Sequence, residues 1–279
     1  MRHLIGRVKQ VAPRALHPIL RRTYHWLHRA WLHLSFRYCD WRFSSTECQP
    51  LPRAALRYKV SETVSIESFV RIGAACADRI RALARAQGFA IEEAAAVLDF
   101  GCGCARVLRW LQPPLAESTV TRFHGVDVDL ACIEWCRGAL PGACFACNDP
   151  LPPLPFLDES FDVIYSISVF THLDEQRQGD WLRELCRLLR RDGLLIFTVH
   201  GENAADMLSP EERALLHRAG FLFKRSQKLS GLLPEWYHTS WQSSRYVTTL
   251  LAPWFDRIEY HVVADGMQDF VVCRGVRNA

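Results

Sequence analysis

Ala95-Ala96-Val97-Leu98-Asp99-Phe100-Gly101-Cys102-Gly103-Cys104-Ala105-Arg106-Val107-Leu108 is the stretch from which the rest of the chain is read. A short apolar run breaks at two glycines two positions apart, then resumes with apolar residues at Val107, Leu108 and Leu111. That pattern predicts a buried strand, a tight turn and a helix. Glycine suits such a turn because it accepts backbone angles that crowd a Cβ and lets a ligand come close to the main chain. The first amides of a following helix point back to the same place, so the turn is a place for a small polar ligand.

Spacing selects the ligand. A dinucleotide site needs a small residue three positions after the second glycine, and Arg106 stands there. The pattern is instead Asp99-x-Gly101-x-Gly103-x-Ala105, with an acid two residues before the first glycine. It resembles the first motif of the class I S-adenosylmethionine (SAM)-dependent methyltransferases, in which Ala105 occupies a position commonly held by glycine. The resemblance implies SAM as cofactor, with Asp99, Gly101 and Gly103 at its methionine end. Taken alone, the glycine pair is equally a plain strand-to-helix turn.

Further motifs follow in order. Thr119–Val128 reads as a second strand running into Asp127 and Asp129. An acid at the tip of a second parallel strand faces the crevice beside the first turn and can accept hydrogen bonds from ribose hydroxyls. Gly125-Val126-Asp127 resembles the second methyltransferase motif, which implies a ribose contact for Asp127. Asp129 suits the N-cap of the next helix. Gly142–Cys147 reads as a third strand, and the loop after it offers Asn148 and Asp149. The family's adenine-contacting residue matches either one, and both are also ordinary turn formers. Leu154–Tyr165, with Pro155-Phe156 and then Phe161-Asp162-Val163, resembles the run at the head of the family's fourth strand. Trp181, Leu182, Leu185, Leu188 and Leu189 form a helical core stripe. Arg190-Arg191-Asp192-Gly193 closes that helix, and Leu194–Val199 is a fifth strand ending in His200-Gly201.

This alternation predicts an α/β fold: a doubly wound, mainly parallel seven-stranded sheet of the Rossmann-like methyltransferase kind with a basic N-terminal helical arm. Residues 1–60 are read as arm and linker, the linker over 43–60. Residues 61–279 are the methyltransferase domain, with a loop-rich substrate-side insertion at 203–242. A helix from Ser65, with Phe69, Val70, Ile72, Ala75, Ile80 and Leu83 on its apolar face, precedes the first strand and stops at Gly88. In the family such a helix covers the cofactor, which makes Phe69 and Arg71 site candidates. A helix over Tyr246–Trp254 and strands at Ile258–Val263 and Asp269–Cys273 close the chain, the pair adding an antiparallel strand at the sheet edge.

Composition narrows the function. The chain has 279 residues, 49% apolar and 23% charged, which fits one sizeable globular α/β domain with extra segments. Its net charge of +4 is uneven: residues 1–40 hold eight Lys/Arg against Asp40 alone, a net +7, and the remainder is slightly acidic. A nucleic-acid role for the body therefore has no support, and the motifs of base methylation are absent. Eleven cysteines, an odd and scattered set, indicate a reducing, cytoplasmic setting and not a disulfide framework. Cys132, Cys136, Cys144 and Cys147 are read as structural, with no metal site, because strand alternation sends Cys144 and Cys147 to opposite faces. Ile19–Tyr38 has helical apolar spacing between basic residues. It suits either peripheral attachment to the inner face of a membrane or packing on a protein partner.

The expected activity is SAM-dependent transfer of a methyl group to a small-molecule or glycan-type acceptor at oxygen. The alternatives are a catalytically silent SAM-fold partner subunit and a dinucleotide-dependent oxidoreductase. A hydroxyl acceptor must lose its proton; the candidate bases are His172, His200 and His238. Trp236, Tyr237 and Trp241 of the insertion are expected to shape the acceptor pocket.

Overall fold

Strand alternation splits the apolar residues of the sheet into two opposite cores, and a computed structural model shows both. Residues 17–42, 50–61, 63–112, 121–225, 238–264 and 268–277 are described. On one face Val97, Phe123, Val163, Leu194 and Ile196 meet Ile80, Leu83, Ile133 and Cys136. On the other, Leu98, Phe100, Val126, Ile164, Leu195 and Phe197 meet Trp181, Leu182, Leu185, Val247 and Leu251. Each large side chain sealed in this way contributes roughly 1.5–3 kcal/mol of transfer free energy.

The seven strands of the main sheet are β1 (Ala96–Phe100), β2 (Arg122–Asp127), β3 (Ala143–Cys147), β4 (Phe161–Ser166), β5 (Leu189–Val199), β8 (Phe255–His261) and β9 (Asp269–Val276). Their order is β3-β2-β1-β4-β5-β9-β8. The first five are parallel, and β9 runs antiparallel between β5 and β8. The antiparallel strand is therefore inside the sheet, and β8 forms the edge. The two units into which the chain divides are Met1–Ser65 and Ile66–Ala279. In the first, α1 (His17–Arg42) and α2 (Ala54–Ser61) are helical. The second holds α3 (Ile66–Ala86), α4 (Leu108–Leu111), α5 (Leu130–Ala139), α6 (Glu175–Leu188), α7 (Pro210–Ala219) and α8 (Ser244–Leu251). Among the described residues no helix is long and apolar enough to cross a membrane.

Local chemistry corrects several expectations. The helix after the glycine turn is only four residues long, because Gly103 and Ala105 both sit in the left-handed region (φ 52° and 53°) and delay its start. Arg190–Gly193 belongs to β5 and not to a closing loop. Leu189 pairs with Phe161, and the extra residues are accommodated by an irregularity where Arg190 forms an ion pair with Asp162. Part of the supposed linker is α2, whose first amide, at Ala54, donates to Asp40 Oδ1 (2.8 Å). The inward face of α3 is Phe69, Gly73, Ala77, Ile80, Leu83 and Ala84, while Ala75 is exposed. The insertion is ordered where described. It contains a 3-10 turn at Glu202–Met207, then α7, and a two-stranded sheet of β6 (Phe221–Lys224) and β7 (Thr239–Gln242). Trp236 and Tyr237 lie outside the described residues, as do Thr119 and Val120.

Candidate functional site

Parallel register sets the first row of polar groups. Asp99 on β1 pairs with Gly125 on β2 and with Tyr165 on β4. Asp127, two residues beyond Gly125, projects to the same side. Both acids thus stand on one face at the carboxyl ends of adjacent strands, where the turn after β1 begins. Gly101 has φ +78°, and a Cβ there would lie 2.1 Å from Val169 Cγ2, so the turn passes directly under the segment that follows β4.

The turn is tied to β2 before any ligand arrives. The amides of Gly101 and Cys102 both donate to the Val126 carbonyl (2.9 Å each), and the Gly103 amide donates to Asp127 Oδ2 (2.7 Å). Asp127 Oδ1 accepts from the Asp129 amide (2.8 Å). Asp129 caps α5 as its position suggests, accepting from Ala131 and Cys132. The thiols of Cys102 and Cys136 both reach the Gly103 carbonyl (3.6 and 3.5 Å) and fasten the turn to α5. Cys132 and Cys136 are buried, whereas Cys144 and Cys147 are exposed on β3. Among the described residues no group of three potential metal ligands occurs.

Asp99 is buried, and loss of hydration pushes its carboxyl up to about 8. The facing Tyr165 hydroxyl opposes the rise, Asp127 adds to it and Arg106 opposes it. Among the described residues Tyr165 Oη has no well-aligned hydrogen-bond partner, so its influence on Asp99 is that of a nearby dipole. Tyr165 was not singled out by the sequence reading; the β4 register is what places it.

Asn148 and Asp149 separate clearly. Asp149 is exposed on the rim. The Asn148 amide donates to the Asp127 carbonyl (3.1 Å), and its Nδ2 donates to the Asp149 carbonyl (2.7 Å). That bond orients the side chain and leaves Oδ1 buried without a hydrogen-bond partner among the described residues. A buried acceptor in this condition is costly unless a ligand donor meets it. An exocyclic amine such as that of adenine supplies such a donor, and the residues present therefore fit an adenosyl group.

Close packing behind the turn comes from a residue the sequence reading passed over. A Cβ on Gly73 of α3 would lie 2.2 Å from the Arg106 carbonyl oxygen. Intimate helix-to-turn contact is thus made by Gly73, which leaves position 106 able to carry an arginine. Phe69 is fully buried, and Arg71 is exposed.

The three histidines gather on the insertion side. His172 Nδ1–H donates to the His238 carbonyl (2.6 Å), and His200 Nδ1–H donates to the Ser240 carbonyl (3.1 Å). Since a carbonyl only accepts, both neutral rings carry their lone pair on Nε2. Burial lowers all three: His172 to about 4, with its neighbours His200 and His238 lowering it further and the His238 carbonyl opposing; His200 and His238 fall below 6.5. Strand β7 holds the group together. The Ser240 amide donates to the Thr171 carbonyl (2.8 Å), and the Gln242 amide donates to the His200 carbonyl (2.9 Å). Trp241 is not a pocket wall. It is buried with Ala204, Ala205, Leu208 and Leu216, and its indole N–H donates to the Ala204 carbonyl (3.2 Å).

A polar knot absent from the sequence reading links β4, β5 and β9. Ser168, at φ 64°, donates its amide to Thr198 Oγ1 (2.8 Å), and the Thr198 hydroxyl donates to Gln268 Oε1 (2.7 Å). No spacing in the chain announces it, because its members span 100 residues, from Ser168 to Gln268.

Residues 98–197, from within β1 to within β5, match the family described as Methyltransferase domain. By that match this stretch is a methyltransferase domain. Two curated relatives match stretches of similar length. Methyltransferase GfsG of Streptomyces halstedii is 32% identical over 105 residues, 36% of this chain and 35% of the relative. Phthiotriol/phenolphthiotriol dimycocerosates methyltransferase 1 of Mycobacterium ulcerans is 34% identical over 107 residues, 37% of this chain and 36% of the relative. The chain thus spans about a third of the length of the curated relatives it matches. Solved structures agree on the fold. A SAM-dependent methyltransferase from Mesorhizobium loti has a TM-score of 0.50 at 14% identity, covering 69% of this chain and 96% of that one. A candidate O-methyltransferase from Nostoc punctiforme has a TM-score of 0.51 at 13% identity, covering 79% and 59%. The methyltransferase domain accordingly includes Asp99, the glycine turn, Asp127, Asn148 and His172. His200 and His238 lie beyond the matched stretch.

Proposed function

We propose that the chain binds SAM and methylates a small-molecule acceptor at a hydroxyl oxygen. The observation that carries this reading is the row Asp99, Asp127 and Asn148 at successive strand ends beside the glycine turn, with a buried amide oxygen on Asn148 that has no donor among the described residues. Asp127 would take the ribose hydroxyls, Asn148 the adenine amine, and Asp99 the ammonium of the methionine end. When bound, the cofactor supplies a methyl group already activated on a sulfonium sulfur.

His172 is the residue we assign to the acceptor's proton. Its Nδ1–H is fixed by the His238 carbonyl, so the ring is oriented and Nε2 is the basic atom. Nε2 of His172 would take the hydroxyl proton as the acceptor oxygen gains the methyl group, the methyl–sulfur bond breaking with its electron pair left on the sulfur. His200, clasped by β7 and facing the Trp241 ring at 5.9 Å, positions the insertion against the strand ends. The domain's task is alignment and exclusion of water, both served by the ordered insertion. The Mycobacterium ulcerans relative, named for phthiotriol and phenolphthiotriol dimycocerosates, favours a small-molecule acceptor over a nucleic acid; a glycan hydroxyl presents the same chemistry.

Calorimetry with SAM tests the cofactor assignment. Asn148→Ala should weaken binding about tenfold, the ~1.4 kcal/mol scale of a hydrogen bond to a buried acceptor. Absence of SAM binding by the wild-type chain overturns the reading. His172→Gln should retain SAM affinity while losing at least about a hundredfold in turnover to S-adenosylhomocysteine with an accepted substrate.

A further inference from the structure

Helix α1 has two apolar faces. Leu32 and Phe36 are buried, and Phe36 meets Tyr58 of α2 with ring centroids 5.5 Å apart. A second set, Leu27, Trp31, Leu34, Tyr38 and Trp41, is spaced four, three, four and three residues apart and so forms one straight stripe on another side of the helix. Every member is exposed: Trp31 by 55%, Leu34 by 66% and Trp41 by 82%, with Trp26 beside them at 68%. Single exposed apolar residues are ordinary, but a continuous line of six, four of them aromatic, is a surface that binds something.

Charge identifies what it binds. Arg37 is exposed and flanks the stripe, and the sequence of residues 1–40 carries a net +7. Asp40, the one acid of α1, accepts the Ala54 amide and is engaged with α2. A second copy of α1 would set arginines against arginines with no glutamate to pair them, the reverse of what a stable helix pair requires. Anionic phospholipid headgroups complement the arginines, while tryptophan and tyrosine are the side chains that favour the boundary between headgroups and acyl chains. We infer that the exposed stripe of α1 seats this protein on an anionic phospholipid surface, the helix lying in the plane of the interface.

Flotation of the full-length protein with two kinds of vesicle, phosphatidylcholine alone and phosphatidylcholine with about 30% phosphatidylglycerol, tests this. The expected result is binding to the mixed vesicles only, weakened at least tenfold when salt rises from about 0.1 to 0.5 M, with a blue shift of tryptophan emission. The variant Trp31→Gln/Leu34→Gln/Trp41→Gln alters exposed residues and keeps good helix formers. It should lose at least tenfold in vesicle affinity while retaining its circular dichroism. Arg37→Glu, which leaves the apolar stripe whole, should weaken the preference for phosphatidylglycerol. No binding to mixed vesicles, equal binding to both kinds, or undiminished binding by both variants overturns the inference. So does stripe-dependent dimerisation in sedimentation without vesicle binding.

Discussion

Replacing Asp99 by asparagine should make this protein more stable as pH rises, at the expense of its cofactor. In the folded chain the Asp99 carboxyl is raised to about 8 by burial, against an ordinary value of 3.8. Between pH 4 and 8 the unfolded chain has released this proton while the folded chain still holds it. The folded state then binds more protons, so wild-type stability falls through this window and levels off above 8. The slope is at most ~1.4 kcal/mol per pH unit, which over about four units sets a ceiling of ~6 kcal/mol. With the effective dielectric of a real interior, the expected loss is ~2–4 kcal/mol. Asparagine is nearly isosteric and has no such proton. Urea unfolding followed by tryptophan fluorescence at about pH 3.5 to 9 should give stabilities for wild type and Asp99→Asn whose offset is smallest below about pH 4 and which diverge in the variant's favour up to about pH 8.5. Parallel curves, or divergence in the opposite sense, refute the argument that Asp99 is held protonated by its surroundings. The same variant should bind SAM more weakly, and wild-type SAM binding near neutral pH should release a proton if the ligand's ammonium draws Asp99 into its charged form.

Three further outcomes are expected. Gly73→Ala, which helix propensity alone would favour by about 1 kcal/mol, should instead destabilise by ~2–4 kcal/mol, because the new methyl group meets the Arg106 carbonyl; thermal unfolding measures it, and a stabilised variant removes the close-packing argument. Because the proposed base works only when unprotonated, turnover should fall as pH drops through the lowered value of His172, about 4. A single acidic limb at 6.5 or above in kcat would assign the base elsewhere. Trp241→Ala should cost about 3–5 kcal/mol by emptying the core of the insertion, with hydrogen exchange rising across β6, β7 and His200 but not across β1 and β2; uniform protection would mean the insertion does not depend on that core.

The legible part of this molecule is the part whose periodicity and local chemistry agree. Val97, Leu98 and Phe100 read as a strand because it is buried on both faces, and Asp129 reads as a cap because its side chain needs only the next three residues. Asp99 and Asp127 follow from motif spacing, and the parallel register then explains why they share a face. Illegible features depend on contacts distant in sequence. The packing role of Gly73 requires the Arg106 carbonyl, the Ser168–Thr198–Gln268 knot joins three strands, and the pairing of Leu189 with Phe161 turns a helix end into strand. Trp241 shows the opposite error, an aromatic residue read as ligand-facing that the short sequence Ala204–Leu216 covers completely. The bond that turns Asn148 Oδ1 inward, which separates its surroundings from those of the exposed Asp149, is not encoded in composition.

The bond from the Gly103 amide to Asp127 Oδ2 has a consequence for how binding data on this site should be read. A carboxylate with the ribose-holding role proposed for Asp127 that also cross-braces the loop beside it has two effects that one truncation removes together. Asp127→Ala would loosen the turn in the empty protein, so its measured loss would include the entropy of re-forming the turn at each encounter. Asp127→Asn can keep an oxygen toward one of the two amides while changing what the ribose meets. The difference between the two variants, and not either alone, separates grip from brace.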